Sequence, residues 1–307
     1  MRRVLTAVVL IPLVLALLFK APDWLYSGVI GLVAMLAAHE YFGIAEHYQE
    51  GLHRYVVEVA IGLYFLGHSL HRISAFGVPG FGAKLEALTL DLSYRVLLPL
   101  LLVMGLAFKD LRQALPSAGI SYLAFPYIAI ALGAISLIGH YENGRVLVFV
   151  FLLVIWSGDI FAFYVGRAFG KHKLAESISP KKTWEGAIAS TVGAMIVSVL
   201  LFRYIHSIGN VLVRLDSFPS RSVLYTDARI YPVGWWLAAL FGLCVNVAAQ
   251  FGDLVESALK RGAGVKDSGN LLPGHGGILD RIDAMLLAAP VLWFFHVILY
   301  QAIIHKP

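Results

Sequence analysis

Apolar runs long enough to cross a bilayer recur along the whole of this chain, and that pattern leaves few architectures open. In hydrocarbon every backbone N–H and C=O must find its partner inside the segment, so an uninterrupted apolar run of this length is read as a helix. A span needs roughly 20 residues to cross a core of ~30 Å, and about nine can be placed, near 4–20, 24–45, 55–71, 94–108, 119–139, 146–166, 185–203, 233–256 and 284–303. The expected fold is all-α: a polytopic integral membrane protein of about nine transmembrane helices. With 59% hydrophobic and only 14% charged residues, the chain lies outside the range of soluble domains. The opening MRRVLTAVVLIPLVLALL has the charge and apolarity of a signal peptide. No small-residue cleavage site follows it and Lys20-Ala21-Pro22 leads into the next run, so it reads as a retained first helix.

With the N-terminus cytoplasmic, 14 of the 24 Lys and Arg fall on the inner side, which favours that orientation and leaves the C-terminus outside. Two polar blocks, 167–185 and 257–283, then face the cytoplasm, where nucleoside triphosphates are available. The net charge of +5 sits beside membrane spans rather than in any nucleic-acid module, so anionic lipid and anionic substrates explain it and nucleic acid does not. The single cysteine, Cys244, lies in an apolar run and reads as a packing residue. The chain shows no internal repeat, which weighs against a transporter built of two related halves. Residues 72–93 and 204–232 read as outer loops, the first with an interfacial helix.

From Ser257 to Asp283 the chain concentrates four cations, three carboxylates, a histidine and six glycines. Asp253, Ser257 and Lys260 share a face if helical, and Asp280 and Asp283 do so again beyond a Pro-Gly-His-Gly-Gly turn. Carboxylates suit a hard divalent cation, Lys and Arg suit phosphate oxygens, and glycine amides can approach anions, so magnesium-nucleotide chemistry is one reading. An ordinary charged loop between membrane helices is the other. His39-Glu40 lacks the second histidine of a zinc-protease helix, and GRAFGK (Gly166–Lys171) lacks the spacing and hydroxyl of a P-loop.

The order of residues goes further. Ser257, Lys260, Arg261, Lys266, Asp267, His275, Gly276, Gly277, Asp280, Arg281 and Asp283 fall where the phosphatidate cytidylyltransferase (CDP-diacylglycerol synthase) signature has them, and the segment resembles that family. GDIFAFYVGRAFGKHKLAESISPKKTWEG, from Gly158 to Gly186, is similar to the family's other polar stretch. Ile160 and Ala189-Ser190 depart from it. The resemblance implies transfer of a cytidylyl group from CTP to phosphatidic acid with one or two Mg2+ ions, Asp253 and Asp280 as leading metal ligands with Asp283 next, and Lys260 among the catalytic residues. It implies substrate contacts from Asp159, Ser179, Lys181, Lys182, Thr183, Glu185, Ser257, Arg261, Lys266, Asp267, His275, Gly276, Gly277 and Arg281.

Competing roles stay open for several of these: a membrane-surface anchor for Lys181 and Lys182, a helix-dipole role for Glu185, a packing ion pair for Asp159 and a backbone-bonded turn for His275. A CTP-dependent enzyme acting on a polyprenol, or a transporter, are the alternative functions. The C-terminal region, 141–307, is expected to carry the catalysis, with 1–140 as supporting transmembrane helices. The expected setting is a bacterial inner membrane with the site facing the cytoplasm, membrane lipids as partners, and an assembly that admits a homodimer.

Overall fold

A computed structural model describes residues 2–70, 80–141, 144–214, 234–271 and 276–304. Nearly all regular structure is helical: α1 (Arg2–Lys20), α2 (Asp23–Ala45), α3 (Arg54–Ser69), α4 (Phe81–Arg95), α5 (Leu97–Gly105), α6 (Ala114–Ala124), α7 (Ala131–His140), α8 (Gly144–Phe169), α9 (Trp184–Arg214), α10 (Trp235–Gly262) and α11 (Leu279–Ile304). A 3-10 turn, Leu111–Gln113, leads into α6. Pro126 lacks an N–H and crowds the preceding turn, and the α6–α7 stretch absorbs it in one wide π turn, Phe125–Ile130.

The all-α membrane fold stands, and the count of nine spans is not confirmed. Among the described residues six helical stretches have the length and apolarity to cross a bilayer, seven if α4 and α5, bent by 42° at their junction, count as one. With 16 residues, α3 reaches only about 24 Å, short of the hydrocarbon core. The first run corresponds to α1, Arg2–Lys20, of 19 residues. The fourth run straddles the α4–α5 bend. Of residues 72–93, expected as an outer loop with an interfacial helix, 81–93 are helical, and Glu86, Thr89 and Ser93 lie on one helical face, which is buried.

The chain divides into two compact units. The first takes Met1–Pro12, Ala21–Ser136 and Ala258–Ile282. In it α2 packs on α3 and α3 on α4 around the buried Phe42, Ile61, Phe125 and Ile128. Gly31 lets the two backbones approach, since a Cβ there would lie 2.6 Å from that of Phe65.

The second unit takes Leu13–Lys20, Leu137–Ser257 and Asp283–Pro307, and the α8–α9 pair dominates it. Along α9, Trp184, Ile188, Val192, Ile196, Leu200 and Tyr204 recur every four residues and are exposed. The opposite face is small: Gly186, Ser190, Gly193, Ala194 and Ser198 are buried. Lipid tails are as apolar as leucine, so helices in a bilayer associate through close packing, which small residues permit. A Cβ on Gly193 would collide with the Phe161 ring of α8. Arg145, at the start of α8, donates to the Leu18 carbonyl at 3.1 Å, placing a cation on the last turn of α1.

The polar block between α8 and α9 is not a plain loop. It folds as a hairpin in which β1 (Lys173–Ala175) pairs antiparallel with β2 (Ser179–Thr183), Lys173 opposite Thr183 and Ala175 opposite Ser179. The chain must reverse between two helices packed side by side, and two short strands satisfy its backbone as it does so. Lys173 Nζ adds a bond to the Pro180 carbonyl at 2.7 Å.

Candidate active site

In the second unit, α8, the hairpin, α9 and α10 surround a cavity of about 780 Å3. Asp159 and Arg167 of α8, Lys173, Lys181 and Lys182 of the hairpin, and Asp253 of α10 line it. Lys182 Nζ lies 2.6 Å from Asp253 Oδ2, and Ser257, one turn along α10, donates to Asp253 Oδ1 at 3.3 Å. One carboxylate therefore holds an ammonium from the hairpin and a hydroxyl from its own helix. The other cations supply positive charge to a mostly apolar pocket.

The hairpin's attachment explains two predicted residues, Thr183 and Glu185. Thr183 caps α9: its hydroxyl accepts from the Gly186 amide at 3.2 Å, satisfying one of the helix's open N–H groups. Glu185, in the first turn, accepts from His172, ring nitrogen at 2.6 Å and backbone N–H at 3.3 Å, so it ties α9 back to the base of the hairpin. Thr183 also lines the cavity, whereas Ser179 and Glu185 do not. Gly170 is required where it stands, since a Cβ would meet the Gly166 carbonyl and the Thr183 side chain.

Beneath these charges lies a polar network that sequence reasoning did not identify. Asn246 Nδ2 donates to Ser190 Oγ at 3.0 Å, and Gln250 Nε2 faces Asn246 Oδ1 at 2.7 Å, Thr191 Oγ1 at 3.0 Å and the Ala187 carbonyl at 3.2 Å. Buried polar groups are tolerated when mutually bonded, and the Ala187 carbonyl, which can only accept, fixes the Gln250 amide with its nitrogen toward α9. The signal was four polar residues inside apolar runs. Their pairing across two helices is tertiary.

The first unit holds the signature loop. At the end of α10 Gly264 has φ +73°, the Val265 amide donates to the Lys260 carbonyl at 2.9 Å and the Gly264 amide to the Arg261 carbonyl at 3.1 Å, a Schellman stop. Lys260 is thereby left in the last turn, where its ammonium pairs with Asp280 Oδ1. Asp280 Oδ2 accepts from the Ser268 amide at 3.0 Å and the Gly277 amide at 2.8 Å. Gly276, at φ +80°, has no room for a side chain beside that carboxylate. Glu40, from α2, enters the same cluster and accepts from Ser268 Oγ at 2.9 Å and the Ile278 and Leu279 amides at 3.0 and 2.8 Å.

Of the predicted residues, Lys260, Asp280 and Gly277 thus meet through direct bonds, with Gly276 beside them. Arg261, Lys266, Asp267 and Arg281 are exposed, Arg261 donating to the Val265 carbonyl at 3.2 Å. Asp283 belongs to the second unit and accepts from the Ala284 amide at 2.8 Å. His275 lies outside the described residues. Glu40 and Ser268 went unassigned, and Lys173 was not singled out.

Among the described residues no three His, Cys, Asp or Glu side chains converge as a metal cage. Magnesium does not require one, being commonly held by one or two carboxylates with water and substrate phosphates completing its shell. Asp159 of α8 and Asp253 of α10, both lining a cavity that Arg167, Lys173, Lys181 and Lys182 also line, fit that donor set.

Known proteins resemble this chain along most of its length. The chain is 33% identical over 307 residues to a phosphatidate cytidylyltransferase of Haemophilus influenzae, covering 96% of this chain and 98% of the relative. A phosphatidate cytidylyltransferase of Rickettsia typhi is 34% identical over 205 residues, 66% of this chain and 80% of the relative. One from Brucella abortus is 36% identical over 180 residues, 59% of this chain and 56% of the relative. The profile of the cytidylyltransferase family matches residues 1–299, taking in both the α8–α9 hairpin and the loop before α11, and the chain belongs to that family.

Proposed function

We propose that this membrane protein makes CDP-diacylglycerol: the phosphate of phosphatidic acid attacks the α-phosphorus of CTP and pyrophosphate leaves. The observation that carries this reading is the second unit's cavity, where cations from a hairpin and two acidic helices meet at the end of apolar membrane helices. Its charged rim suits phosphates and its apolar walls suit an acyl-bearing substrate. The nucleophile is already an anion, so the protein's task is to position two polyanions and neutralise their charge.

Lys182, Lys181, Lys173 and Arg167 bind phosphate oxygens. Lys182 is held ready by Asp253, and Ser257 fixes the carboxylate that holds it. Lys260, Arg261, Lys266 and Arg281 are the corresponding cations of the signature loop. Asp253 with Asp159 would hold a magnesium ion together with substrate phosphates, and Asp280 and Asp283 are the further candidate ligands, Asp280 with the Lys260 ammonium already on one oxygen. When bound, one or two such ions supply charge neutralisation for the departing pyrophosphate. The polar blocks face the cytoplasm of a bacterial inner membrane in this reading, in keeping with the inner-side excess of Lys and Arg.

Detergent-purified protein given phosphatidic acid, labelled CTP and magnesium is expected to produce labelled lipid and an equal amount of pyrophosphate, with Asp253→Asn inactive but folded. A lipid alcohol labelled in place of phosphatidic acid would sink this reading, as would a fully active Asp253→Asn.

A further inference from the structure

We propose that Glu40 is a positioning residue for cytidylyl transfer, holding both limbs of the signature loop so that the Lys260–Asp280 pair is presented in a single geometry. The inference rests on the transferase reading above. Glu40 is 9% exposed and sits near the end of α2, more than two hundred residues from the loop it contacts.

Its carboxylate accepts three hydrogen bonds from two separate limbs. Ser268 Oγ comes from the limb after α10, and the Ile278 and Leu279 amides come from the entrance to α11. Those amides are among the open N–H groups of a helix start, where an anion is favoured by both the donors and the dipole. Ser268 is shared: its hydroxyl serves Glu40 while its amide serves Asp280 Oδ2 at 3.0 Å. The orientation of Asp280 therefore depends on the limb that Glu40 fixes, and the Lys260 ammonium depends on Asp280. Glycine is required at both points of approach, since a Cβ on Gly269 or Gly277 would collide with the Glu40 carboxylate.

A glutamine is nearly isosteric but keeps only one acceptor oxygen and turns an amide nitrogen toward an N–H donor. Glu40→Gln in the full-length protein is expected to lower kcat about 10- to 100-fold, the range set by leaving a buried donor unsatisfied, with KM for CTP changed less than about threefold because Glu40 does not touch substrate. Glu40→Asp, which restores the charge one methylene short, is expected to recover part of that loss. Hydrogen exchange read on the 265–282 peptide should speed up in Glu40→Gln while peptides of α8 and α9 stay unchanged. Wild-type kcat in Glu40→Gln, or Glu40→Asp no better than Glu40→Gln, overturns the proposal. A wild-type protein that makes no labelled lipid sinks the transferase reading instead, and unchanged exchange in the 265–282 peptide then overturns Glu40's role on its own.

Discussion

Lys260 and Asp280 have side chains only 10% and 6% exposed, so each charge depends on the other for its place out of water. Removing one partner of a buried pair commonly costs ~3–5 kcal/mol, since the survivor is left uncompensated, whereas removing both can be close to neutral. Lys260→Met is therefore expected to melt well below the wild type in detergent, and Lys260→Met combined with Asp280→Asn to melt above the single variant. A double variant no more stable than Lys260→Met would mean that the two groups do not compensate one another. At this scale the signature's spacing was enough to single out Lys260, Asp280 and the glycines beside them. Glu40 was passed over because a carboxylate in an apolar helix announces a role only through what it meets, and its partners lie in a loop far along the chain. The same holds for Ser190, Thr191, Asn246 and Gln250, each visible as a polar residue in an apolar run but not as members of one network.

Helix α9 shows what the apolar pattern could and could not convey. Its apolar run, 185–203, was plain, although the helix continues to Arg214 into residues read as loop. Apolar residues on the lipid side and small residues on the packed side are both compatible with a span, and only the packing tells which face is which. The distinction has an energetic consequence. Gly193→Val places methyl groups against the Phe161 ring and is expected to destabilise the protein by about 1–3 kcal/mol, the usual cost of overpacking. Ile188→Val, on the exposed stripe, should change stability by less than about 0.5 kcal/mol. Equal melting of the two variants would contradict the assignment of faces. The count of nine spans is left unconfirmed for a related reason. Apolarity marks α3 and the α4–α5 stretch as membrane-compatible, but a helix can be apolar and still too short, or broken at a bend, and neither shows in a hydropathy window.

For the whole chain, the orientation inferred from the Lys and Arg distribution predicts which side the hairpin faces. With Cys244 replaced by alanine, a cysteine at Lys181 should react with a membrane-impermeant maleimide only after inner-membrane vesicles are inverted or cells are permeabilised. Labelling in intact spheroplasts would place the hairpin on the outer side. The contrast between a richly marked C-terminal half and a plain N-terminal one also invites division of the chain near residue 140, where motif density changes. Glu40 argues otherwise, because the first amides of α11 and the Ser268 hydroxyl find their acceptor on α2. A fragment spanning 141–307 is expected to insert and yet form no product, and co-expression with 1–140 to restore turnover in trans. Where the motifs lie and where the protein can be cut are thus separate questions: half the chain carries the recognisable chemistry, but the seam that would isolate it runs through the loop's own support.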